Sequence, residues 1–138
     1  MEALFSRTLE KDRDDFAALL DAIESFLREQ YIPDKTAQRI MISCDEVISN
    51  ILNHAKTSEI AVISVNVRTT PENVSVEIID NGPEFNPLSV PPPDTGLSLE
   101  DRKAGGLGIY LVRELMDDVR YIRENSQNRL LFNKILSL

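Results

Sequence analysis

Glu46, Asn50 and Asn53 recur at intervals of four and three residues in a stretch of helical periodicity, so at 100° per residue they share one polar face. A carboxylate one turn before a carboxamide sets a proton acceptor beside a hard oxygen ligand, which suits a general base next to Mg²⁺. The same pattern also describes a solvated helix face. Farther on, the run Ile78-Ile79-Asp80-Asn81-Gly82-Pro83 ends in an acid followed by a glycine-proline turn. An Asp at a strand end can accept a hydrogen bond from the exocyclic amine of a base, and Gly82 lets backbone approach a ligand closely. Asp-Asn-Gly is equally a common turn sequence. A third group, Gly105-Gly106-Leu107-Gly108, stands at the mouth of a predicted helix, where unpaired N–H groups and the positive dipole end favour phosphate oxygens. The spacing matches neither a Rossmann fingerprint nor a Walker loop, and a hinge before a helix is the alternative. His54 has no metal-binding neighbours in sequence and reads as a structural histidine.

These residues need elements to position them. Ala3 to Leu9 reads as a strand, and Asp12 to Tyr31 carries Phe16, Leu19, Leu20, Ile23, Phe26 and Leu27 at helical spacing. Pro33 suits the first turn of a second helix, whose apolar positions run from Ala37 to Ala55. Ile60 to Val67 and Val74 to Ile79 are β-branched runs joined by a short polar loop, which predicts an antiparallel hairpin. From Asn81 to Gly105 five prolines oppose regular structure. A loop of that length in a compact domain has a function or is disordered. Gly106 to Asp118 is helical again, and Val119 to Glu124 and Arg129 to Leu136 are strands. The expected fold is α+β, a two-layer sandwich with helices on one face of a mainly antiparallel mixed sheet.

The whole-chain figures narrow the function classes. At 138 residues with 42% hydrophobic and 28% charged residues, the sequence fits one globular domain over residues 1–138. With 23 acidic against 15 basic residues the net charge is −8, and without a Lys/Arg cluster nucleic acid is a poor partner. Neither a secretory leader nor a membrane span is expected. Cys44 falls on the apolar face of the second helix and reads as a buried, inert thiol in a reducing compartment.

The three groups occur in one order and resemble the N, G1 and G2 boxes of the GHKL (Bergerat-fold) ATP-binding domain. More narrowly, Asp80 to Pro87, the Gly-Gly-Leu-Gly-Ile-Tyr-Leu-Val run at Gly105 to Val112, and Leu115-Met116-Asp117-Asp118-Val119 resemble the anti-sigma regulatory serine kinases. The resemblance implies that Glu46 activates a serine hydroxyl of a partner, that Asn50 holds Mg²⁺ and that Asp80 reads the adenine amine of ATP. It implies nucleotide contacts at Asn53, Gly82, Gly105, Gly106, Leu107 and Gly108, added positive charge from Arg102 or Lys103, and an ATP lid over residues 83–105. It further implies a cytoplasmic homodimer that binds a sigma factor and phosphorylates a STAS-type anti-sigma antagonist. Three departures stand out: Asn53 replaces a frequent basic residue, Leu131 falls where a Thr often sits near the base, and Ser126-Gln127 replaces a glycine-containing turn. The competing reading is a partner-sequestering module that transfers no phosphate; the detached ATPase half of a sensor histidine kinase lacks room for its long dimerisation helix.

Overall fold

The computed structural model describes residues 2–10, 16–54, 62–89 and 106–136, without the side chains of His54 and Leu107. Its order is β1 (Ala3–Glu10), α1 (Phe16–Glu29), α2 (Asp34–His54), β2 (Val62–Thr69), β3 (Asn73–Asp80), a 3₁₀ turn (Pro87–Ser89), α3 (Gly106–Leu115), β4 (Asp118–Glu124) and β5 (Gln127–Ile135). The five strands form one sheet in the order β1-β2-β3-β5-β4, and all four pairings are antiparallel. Arg102, Lys103 and Gly105, and residues 90–105 of the expected lid, lie outside the described residues.

Period-two patterning sets the layers. Along β2, Ile63, Val65, Val67 and Thr69 are buried, and along β3 so are Val74, Val76, Ile78 and Asp80, while their alternates are half-buried or exposed. The buried rows face α1 and α2, whose own stripes of Leu19, Ile23, Leu27, Ile40, Cys44 and Ile48 close the core against them. Phe5 of β1 meets Phe26 of α1 with ring centres 5.5 Å apart. Removing each such aliphatic side chain from water contributes about 1.5–3 kcal/mol before entropy, so the helix-facing side of the sheet dominates stability. The other face is held by polar pairs across strands: Ser6 donates to Asn66, Asn66 to Glu77, and Arg129 to Glu77.

Element ends depart by a few residues from the expected ones. α1 stops at Glu29 because Tyr31 turns left-handed at φ 57°, letting the Tyr31 amide donate to Arg28 O and the Ile32 amide to Leu27 O. This Schellman closure buries Ile32 near Leu27. Pro33 lies just ahead of α2, its carbonyl accepting the Ala37 amide at 2.9 Å. α3 ends at Leu115 rather than Asp118, since Asp117 is drawn to the sheet: its amide donates to Asn133 O and its carboxylate accepts from Ile135 N.

Candidate functional site

Asp80 ends the buried row of β3. Its side chain therefore points to the helix side, where the row before it is aliphatic. Oδ1 accepts from the Gly82 amide at 2.9 Å and from Asn128 Nδ2 at 3.0 Å. Among the described residues Oδ2 has no hydrogen-bond partner, and Asp80 lines a cavity of about 230 Å³. Val47, Asn50 and Ile51 of α2 form one wall of it, Ile78 and Leu130 the floor, and Pro83 and Phe85 the rim. A mostly apolar slot with one carboxylate oxygen on offer accepts a flat, apolar-faced ligand that carries a donor on its edge.

Glu46 lies one turn before Asn50 on α2, so their side chains are neighbours, and Glu46 also meets α3. A Cβ built on Gly108 would fall 2.5 Å from Glu46 Oε2, so glycine is what lets the carboxylate lie against the first turns of α3. The structure thus gathers Glu46, Asn50 and Gly108 at the α2–α3 contact and Asp80 with Gly82 at the β3 end, with Asn50 lining the cavity between them. Gly106 opens α3. Asn53 is exposed and is not among the residues lining the cavity.

Three residues of this site escaped the sequence reading. Asn128 faces Asp80 across the β3–β5 pairing, and Tyr121 and Arg123 of β4 reach the same amide. Leu131, the position aligned by resemblance with a Thr near the base, pairs with Glu77 and sits on the outer side of β5. Leu131 thus lies away from the cavity, and Asn128, three residues earlier, is the β5 residue that faces Asp80. Its signal was a polar residue in phase with buried Leu130 and Phe132. Burial is the main cause raising the Tyr121 phenol above its ordinary pKa, a Phe85 backbone hydrogen bond opposes this, and Glu84 adds to the rise. The hydroxyl therefore keeps its proton at neutral pH and donates to Asn128.

Residues 9–134 match the model of the histidine kinase-like ATPase domain family. The chain belongs to that family. This histidine kinase-like ATPase domain is 35% identical over 92 residues to the serine/threonine-protein kinase BtrW of Bordetella bronchiseptica, covering 66% of this chain and 65% of that protein. It is 34% identical over 86 residues to the serine-protein kinase RsbW of Listeria monocytogenes, covering 59% and 55%, and 28% identical over 94 residues to RsbW of Bacillus mycoides, covering 65% and 59%. The matched stretch therefore spans less than two thirds of each of these curated relatives. No described helix is long and apolar enough to cross a membrane.

Proposed function

We propose that this chain binds ATP and acts as a serine-protein kinase of the anti-sigma type. The observation that carries the reading is Asp80, buried at the end of an otherwise aliphatic row with one oxygen uncommitted at an apolar slot. Adenine presents an apolar face and an exocyclic amine, the features such a slot would recognise. Asn50 would supply one oxygen to Mg²⁺, which fits a cation that takes one or two protein groups and completes its shell with phosphates and water. Among the described residues no group of three His, Cys, Asp or Glu could hold a metal alone, so the nucleotide would have to share it.

In this reading the bound metal would neutralise charge on the phosphates. Glu46 would accept the proton of a partner's serine hydroxyl as its oxygen bonds to the γ-phosphorus and the bond to the β-phosphate oxygen breaks, leaving ADP and a phosphoserine. Gly105, Gly106, Leu107 and Gly108 would bring α3 amides to the phosphates, with Arg102 or Lys103 adding charge and residues 83–105 serving as the lid. The further partners are a sigma factor and a STAS-type antagonist carrying the serine, met by a cytoplasmic homodimer built from one domain over residues 1–138. A net charge of −8 supports docking to basic surfaces.

Calorimetric titration with ATP and GTP, with and without Mg²⁺, tests the reading. Magnesium-dependent binding that favours ATP is expected, and Asp80→Asn should weaken ATP roughly tenfold to a hundredfold by replacing an acceptor with a group that can turn a donor to the amine. No binding to either nucleotide would leave a partner-sequestering module. Glu46→Ala separates the two readings at the next step: under the kinase reading it stops transfer while ATP still binds.

A further inference from the structure

The most heavily bonded side chain at the cavity has no part in the roles above. Asn128 is 7% exposed, and its amide makes five contacts. Nδ2 donates to Asp80 Oδ1 at 3.0 Å and to Pro83 O at 2.8 Å. Oδ1 accepts from the Tyr121 hydroxyl at 2.6 Å, the Phe85 amide at 3.2 Å and Arg123 Nη1 at 3.3 Å. Arg123 Nη1 also donates to Gly82 O at 2.8 Å. Three donors around one atom and two acceptors around the other fix which way the amide lies, because a flip would set donor on donor and acceptor on acceptor.

An amide committed in this way has little left with which to read a ligand. Its effect falls on its neighbours. It occupies Oδ1 of Asp80, which leaves Oδ2 as the oxygen on offer, and it fixes Pro83 and Phe85, which shape the rim of the slot. We propose that Asn128 is a positioning residue that sets base selectivity, holding the Asp80 carboxylate and the Pro83–Phe85 rim in register so that a purine amine is required. The proposal rests on the nucleotide reading of the cavity. The groups facing the amide are Asp80 of β3, Tyr121 and Arg123 of β4, and the main chain at Pro83 and Phe85.

The test compares two ligands on the full chain by calorimetry: ATP, and purine riboside triphosphate, which lacks only the exocyclic amine. The wild type should prefer ATP roughly tenfold or more, because the analogue leaves a buried acceptor unpaired. Asn128→Ala should bring the two affinities within about twofold of each other, whatever its effect on the affinity common to both. Asn128→Asp preserves volume and the three accepted bonds, but while ionised it opposes Asp80 with a like charge; it should lose the preference too. A purely structural role would lower both affinities together and keep their ratio. Thermal unfolding identifies which variants are folded, and a preference retained in either folded variant overturns the proposal. A wild type that prefers ATP while the variants also prefer it sinks only the role of Asn128; a wild type that binds neither ligand sinks the nucleotide reading, and the role of Asn128 with it.

Discussion

One missing methyl group decides where the Glu46 carboxylate lies. A Cβ at Gly108 would meet Glu46 Oε2 at 2.5 Å but the Glu46 Cδ only at 3.4 Å, so the carboxylate end of a flexible side chain would have to turn away. That relief costs little, and alanine gains about 1 kcal/mol of helix propensity over glycine. Under the proposed kinase reading, Gly108→Ala should therefore change stability by about 1 kcal/mol or less while lowering phosphoryl transfer at least tenfold, since misplacing a reacting group by an ångström costs that much or more. Thermal unfolding together with a transfer assay checks both halves, and transfer at the wild-type rate would show that the position of Glu46 is immaterial. Helical period set Glu46 and Asn50 on one face and the strand end marked Asp80, but each pattern alone also fitted a solvated face or a simple turn, and only their order along the chain drew them together. Asn128 showed only as a polar residue in phase with Leu130 and Phe132, because its meaning depends on which residue of β5 pairs with Asp80, a pairing across 48 positions that local pattern does not set.

The elements were readable by period and their ends were not, for tertiary reasons. Asp117 cuts α3 short by binding β5, and Lys134 approaches the same carboxylate at 3.5 Å. The β4–β5 hairpin closes through Asn125 and Ser126, both left-handed at φ 52° and 60°, so the expected Ser126-Gln127 turn begins one residue earlier. Such paired positive φ values define a type I′ turn, in which asparagine then glycine is preferred. Serine in the second place carries about 1 kcal/mol of backbone strain that glycine avoids. Ser126→Gly is thus expected to raise the melting temperature by a few degrees, less whatever chain entropy glycine adds to the unfolded state. Tyr31 is in the same conformation at the end of α1 and is 91% exposed, so Tyr31→Gly should act in the same direction.

At the scale of the molecule, Cys44 reports on the integrity of the core. Burial, with a smaller push from Asp45, raises its thiol from 9.0 to about 12. The unfolded chain gives up that proton near 9 and the native one only near 12, so the native state binds more protons in between and stability falls as pH rises across that window. The slope is roughly 1.4 kcal/mol per pH unit, and urea midpoints taken from about pH 8 to about pH 11 should show it, with Cys44→Ala flattening the curve. Tyr121, raised likewise, adds to the fall at the alkaline end. The sheet order carries a different consequence. β5 lies between β3 and β4, so the last of the five described strands in chain order is the one that joins the two ahead of it. A ribosome that has released residues only as far as Glu124 has made Asp80, Tyr121 and Arg123, yet the amide that gathers them is still to come. The pocket thus closes only once β5 is made, and a nascent chain that stops ahead of it lacks the wall that Asn128 and Leu130 supply.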